Sequence, residues 1–180
     1  MQTTATTRTY AIDPAHSDVS FQIRHLMLTK VRGTFHGLTG TIALDGSGEI
    51  PSAIEVSIDA ASIDTREEKR DAHLRSADFF DAATYPELTF RSTSITGSGT
   101  SFTAVGDLTI HGTTKTVTLT GNVAGTTKDP WGNHRIGWSA TTRINRLDFG
   151  VSFNAPLETG GVMLAEDVDI TLEIQAIPAK

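Results

Sequence analysis

Six histidines, His16, His25, His36, His73, His111 and His134, are the side chains best suited to proton transfer or metal ligation near neutral pH. Their spacing serves neither purpose. No pair has the helical HExxH arrangement or an alternating H-x-H on one strand face, and a zinc site without cysteine needs three converging His or carboxylate ligands. No metal and no cofactor is expected. His25 stands apart because it extends the alternating apolar series Val19, Phe21, Ile23. That position suits either a hydrogen-bonded core histidine or a ligand contact.

A search for nucleophiles is equally unspecific. Gly46-Ser47-Gly48 and Gly97-Ser98-Gly99 fit tight turns, and neither is a G-x-S-x-G elbow. Gly112-Thr113-Thr114-Lys115 lacks the first glycine and the following helix of a phosphate loop, and there is no dinucleotide fingerprint. No catalytic residue is assigned. Charge is concentrated where Arg66, Lys69, Arg70, His73 and Arg75 interleave with Glu67, Glu68, Asp71 and Asp78. Such mixed signs form a solvated face, or else a site whose arginine forks match a phosphate or carboxylate head group. Leu74, Phe79 and Phe80 beside it would then be the apolar lip of a cavity, or the anchors of a helix. Arg146 and Asp148, two residues apart near a strand end, offer a catalytic pair in principle, but facing the same side at period two they better fit a structural role, a mutual pair or the pinning of a neighbouring loop.

The elements that carry these residues are strands. Threonine, isoleucine and valine together make 51 of 180 residues, and β-branched side chains suit pleated, half-buried surfaces. Apolar residues recur at every second position: Ile54/Val56/Ile58, Leu88/Phe90, Phe102/Ala104/Leu108/Ile110, Val117/Leu119/Val123, Ile136/Trp138/Ala140/Ile144 and Val168/Ile170/Leu172/Ile174. Between Val31 and Leu44 the phase changes, which places a bulge or bend at His36-Gly37. Glycine-rich and Asp/Pro turn signals separate the runs at spacings that favour consecutive antiparallel neighbours. Only Arg66–Ala77 reads as a helix, with Thr65 and Glu68 spaced as a capping box. One helix cannot cover both faces of a sheet, so eight or so one-sided strands must close into a barrel or pair as a sandwich. Residues 1–8 read as a loose tail and 9–178 as a single domain.

A net charge of −6 argues against a nucleic-acid footprint. The longest apolar run, Val162 to Ala165, is far short of the roughly 20 residues of a spanning helix. The opening MQTTATTRTY has no basic end followed by an apolar stretch and no twin arginine, so the cytoplasm is the expected compartment.

In order along the chain come Ile12-Asp13-Pro14-Ala15-His16-Ser17, Phe21 and His25, Gly33-Thr34-Phe35, and Ser62-Ile63-Asp64-Thr65. Then follow the run from Arg70 to Asp81, Tyr85-Pro86 with Phe90 and Ser92, the run from Gly106 to Gly112, and Asn145-Arg146-Leu147-Asp148-Phe149-Gly150. With these landmarks the sequence resembles the YceI-like proteins, also described as lipocalin-like polyisoprenoid-binding proteins. Tyr10 stands where that family often carries Trp, and the leader of its exported members is not seen here. The resemblance implies an all-β fold, an extended antiparallel eight-stranded lipocalin-like barrel with one short helical segment near residues 66–77. It further implies an apolar channel holding a long-chain isoprenoid or similar lipid, no enzymatic activity, and a homodimer. Phe21, Ile23, Phe35, Leu74, Phe79, Phe80, Phe90, Leu108, Ile110 and Trp138 are then the expected apolar lining, with His25, Arg70, His73 and Arg75 near a head group. Two rivals remain: an enzyme acting on a small lipid or amide with His25 or His111 as base, and an interaction module whose barrel is packed solid.

Overall fold

A computed structural model describes residues 6–180 of the chain. Among these residues eleven strands form one antiparallel sheet: β1 (Thr7–Ile12), β2 (Asp18–His25), β3 (Thr29–Phe35), β4 (Leu38–Asp45), β5 (Ala53–Asp59), β6 (Ile63–Asp64), β7 (Glu87–Ser98), β8 (Ser101–Ile110), β9 (Thr113–Lys128), β10 (His134–Asn145) and β11 (Asp167–Pro178). The order β1-β4-β5-β7-β8-β9-β10-β11 closes on itself because β1 also pairs with β11, Ile12 opposite Ala176. Closure removes the free edges of the sheet.

The eleven segments make eight staves, because three of them are broken. β1 and β2 both run antiparallel to β11, parted by a 3₁₀ turn at Pro14–His16 that the Asp13 carboxylate caps on Ala15 N. β3 continues into β4 across His36-Gly37, the bend expected from the phase change, and Ser62 Oγ accepts from both of those backbone N–H groups. β5 continues into β6, which pairs with β3. Two register shifts, between Ser92 and Ser94 and between Gly137 and Trp138, were not foreshadowed by the alternation.

Thr7 and Arg8, expected in the tail, instead belong to β1 opposite Asp45 and Leu44. Polar contacts hold that pairing: Thr7 Oγ1 donates to Asp45 and Arg8 to Gly46 O and Gly48 O. Residues 1–5 of the expected tail lie outside the described residues. The helix α1 (Glu68–Arg75) lies within the expected span, but its cap differs. Glu67 accepts from Lys69 N and Arg70 N, while Thr65 is buried and bonded to Asp71 and Arg70. Thr65 is thereby drawn off the helix end and into the wall.

All strands point their apolar side inward. At one end of the barrel, here the upper end, lie the β4–β5, β7–β8 and β9–β10 turns. There Arg135 donates to Asp13 at 2.6 Å and to Asp129 at 2.9 Å. For Asp13 the Arg135 contact is the chief reason its pKa falls below the ordinary carboxylate value. Burial pushes Asp129 up, but hydrogen bonds from Asn133, Arg135 and Trp131 N outweigh it and bring the pKa down to about 2. The lower end carries the β2–β3 hairpin tip, α1 and the long segment between Arg146 and Glu166.

Candidate functional site

Inward side chains of a packed barrel are fully buried, yet here many are not. Leu108, Ala140, Ile170 and Leu172 sit on the inner face of mid-barrel strands and still carry free surface. That surface belongs to the lumen. A cavity of about 320 Å³, bounded by forty residues from every stave, runs along the inside. Its volume lies at the low end for small-molecule sites, but its boundary spans the barrel's length, so it is long and narrow.

The two ends differ. Near the upper end the bounding residues Ile12, Ile42, Pro51, Ile54, Phe102, Trp138 and Ile174 are all buried. Trp138 is fixed there by its indole N–H, which donates to Glu49 O at 2.9 Å, and by an edge-on contact with Tyr10. Toward the lower end the boundary passes to partly exposed residues, Ile23, His25, Val31, Leu74, Phe80, Met163 and Leu164, and to exposed Arg70. The mouth is therefore at the lower end, framed by the β2–β3 hairpin, α1 and the 150–166 segment.

All ten residues expected as apolar lining do border the cavity, and so do His25, Arg70 and His73. Arg75 does not; it sits in the last turn of α1, away from the lumen. Arg70 is turned inward by Thr65, which takes its Nε and Nη2 hydrogen bonds on Oγ1 and the backbone oxygen at 2.7 and 2.8 Å. His73 Nε2 meets Asp78 at 2.8 Å, and its ring stands edge-on to Phe79 and Phe153. His25 has no side-chain hydrogen bond among the described residues and faces the apolar wall. His111 lies outside the cavity, in a turn with its ring against Tyr85. Of the two candidate bases, His25 therefore borders the lumen and His111 does not.

The sequence did not mark Arg146, Phe149, Val151, Met163 or Leu164 as cavity lining. Arg146 is 5% exposed, lines the lower cavity, and donates to Ala165 O, Val151 O and Phe153 O at 2.7–2.9 Å. It does not pair with Asp148, which is exposed, because residues 146–149 form a 3₁₀ turn in which i and i+2 point apart. It pins the loop, the second of its two expected roles. Among the described residues its Nη2 has no hydrogen-bond partner and the guanidinium forms no salt bridge; burial pulls its pKa below the ordinary guanidinium value against the smaller opposing pull of the Glu166 charge. Phe149, Val151, Met163 and Leu164 join the boundary through the segment it holds. The run Asn145–Gly150 was the available signal.

The sequence profile of the YceI-like domain matches residues 10–176. The chain belongs to the YceI-like family. It is 36% identical over 173 residues to Protein YceI of Escherichia coli O157:H7, covering 95% of this chain and 87% of that protein. A UPF0312 protein of Vibrio cholerae is 38% identical over 145 residues, covering 79% of this chain and 77% of the relative. Among solved structures, Burkholderia cenocepacia BcnA superposes with a TM-score of 0.79 at 26% identity, covering 92% of this chain and 99% of that one. A Campylobacter jejuni YceI protein gives 0.76 at 30% identity, with 93% and 96% covered. A polyisoprenoid-binding domain from Saccharophagus degradans, at 17% identity and a TM-score of 0.68, shares the fold. Family and architecture agree: the chain is a YceI-like closed antiparallel barrel. Among the described residues, no helix is long and apolar enough to cross a membrane.

Proposed function

We propose that this protein is a non-catalytic carrier or store for one long apolar lipid of the polyisoprenoid or isoprenoid-quinone type. The observation that supports it is the narrow cavity of about 320 Å³, bounded almost wholly by aliphatic and aromatic side chains and open at one end. A hydrocarbon chain offers nothing to hydrogen-bond and is held by area alone. Each buried methylene contributes about 0.8 kcal/mol, so one five-carbon unit gives about 4 kcal/mol before ordering costs. The tail runs up toward Trp138, where the boundary is driest. The polar end of the lipid stays at the mouth beside His25, Arg70 and His73, where the boundary becomes partly exposed and charged. The solved relative described as polyisoprenoid-binding favours this lipid class. The homodimer implied by the resemblance is measured by light scattering of the purified chain.

Organic extraction of purified protein followed by mass spectrometry tests the reading. A stoichiometric prenyl lipid, or uptake of one when quinones or prenyl alcohols are added, is the expected result. Protein that carries no lipid and takes up none refutes it.

A further inference from the structure

The tip of the β2–β3 hairpin is built at odds with three rules at once. Its turn, His25–Leu28, is closed by Leu28 N donating to His25 O at 3.1 Å, and both central residues have positive φ, 53° at Leu26 and 56° at Met27. Those angles suit Asn-Gly, whereas left-handed backbone at residues such as leucine and methionine carries a steric penalty. The same turn leaves its side chains in water: Met27 is 65% exposed, Leu28 78% and Leu26 37%. Across the strands just behind it, Arg24 stands opposite Lys30, like charges in register. Arg24, Lys30 and Arg32 are exposed and form no salt bridge among the described residues.

Each feature costs stability, and the surroundings hold all of them in place. Leu26 N donates to Met163 O at 2.8 Å, Ala165 N donates to Arg24 O, and His25 bridges Leu164. The 150–166 segment thereby fixes the strained tip and brings Val162, 44% exposed, beside it. Strain retained where the fold over-determines it points to use rather than accident.

We propose that this tip docks the protein on an anionic lipid bilayer. Leu26, Met27 and Leu28 enter the acyl boundary while Arg24, Lys30 and Arg32 meet the head groups. Charge complementarity selects the partner: the chain carries −6 overall, yet no acidic residue occurs between Asp18 and Asp45, a stretch that holds these three cations. Apolar tip and flanking cations are the pattern of a peripheral bilayer contact. Its place matters too, because Ile23, His25 and Met163 at the base of the tip border the cavity mouth. Docking sets the mouth against the bilayer surface. The docking goes beyond the carrier reading and does not depend on which lipid fills the lumen.

The test is co-sedimentation of the full chain with large unilamellar vesicles of phosphatidylcholine alone or with 30% phosphatidylglycerol, neither containing prenyl lipid. Wild type is expected to bind the anionic vesicles, more weakly as salt rises, and the neutral ones at least tenfold less. The triple substitution Leu26→Asn, Met27→Gly, Leu28→Ser supplies a turn sequence matched to the observed φ angles, so it is expected to melt no lower than wild type while binding at least tenfold less. Arg24→Gln with Lys30→Gln and Arg32→Gln is expected to remove the preference for anionic vesicles. Wild type that binds neither vesicle, binding that survives the tip substitutions, or a tip whose substitution only converts dimer to monomer overturns the proposal. Lipid extraction reads the cargo separately, so either result can fail alone.

Discussion

Ala140→Phe separates an open lumen from a packed one by the sign of a stability change. Ala140 lies at mid-height on β10, opposite Leu172 of β11 and Gly121 of β9, with its side chain on the inner face between Trp138 and Thr142. It borders the cavity and retains free surface although both neighbouring strands cover it. In a filled core an added ring is an overpacking change costing about 1–3 kcal/mol. In a void it replaces empty space with contacts, and cavity-filling changes typically gain about 0.5–2 kcal/mol. For a chain of this size each kcal/mol moves Tm by about 2–4 °C, so lipid-free protein should melt higher by about 1–8 °C, and the ring should block the tail's path. Thermal melts of delipidated protein and prenyl-lipid uptake form the assay. A variant that melts several degrees lower, or that takes up lipid as wild type does, would refute the reasoning.

Gly121→Val should lower Tm, because a Cβ there would meet the Phe102 ring at 2.3 Å; the overpacking cost is about 1–3 kcal/mol, and an unchanged melt would contradict the packing described. Arg146→Met orphans three backbone oxygens that the guanidinium now satisfies, at about 2–4 kcal/mol after partial rehydration. Limited proteolysis should then cut at Gly160-Gly161, and a variant as resistant as wild type argues against the pin. Asp13 and Asp129 have folded pKa values below the carboxylate value of 3.8, Asp129 at about 2, so their contribution is complete above pH 4 and is lost as pH falls toward 2. In melts from pH 5 to pH 2, Arg135→Met should flatten that acid loss; an identical slope would show the cluster to be uncoupled from folding.

Period-two alternation made the wall legible, down to the bend at His36-Gly37 and the inward facing of His25. It marks which side of a strand is dry but not whether opposite walls touch, and so could not distinguish a tunnel from a solid core. Where the period changes, the reading failed. Arg146 and Asp148 share a face only on a strand, and the chain has already turned into a 3₁₀ helix there. Arg75 was grouped with Arg70 by charge, though five positions along a helix carry a side chain well round its axis. The Asp13–Arg135–Asp129 cluster spans 122 residues of sequence, and only barrel closure brings it together. The strain at Leu26-Met27 was equally silent, since their sequence carries no turn signature.

Anomalous diffraction from crystals grown with a prenyl or alkyl chain brominated at its tail end tests the central claim most directly. Bromine density inside the barrel near Trp138, with the polar end at the His25–His73 mouth, is the result the account predicts. Side chains filling the lumen, or bromine only on the outer surface, would contradict it.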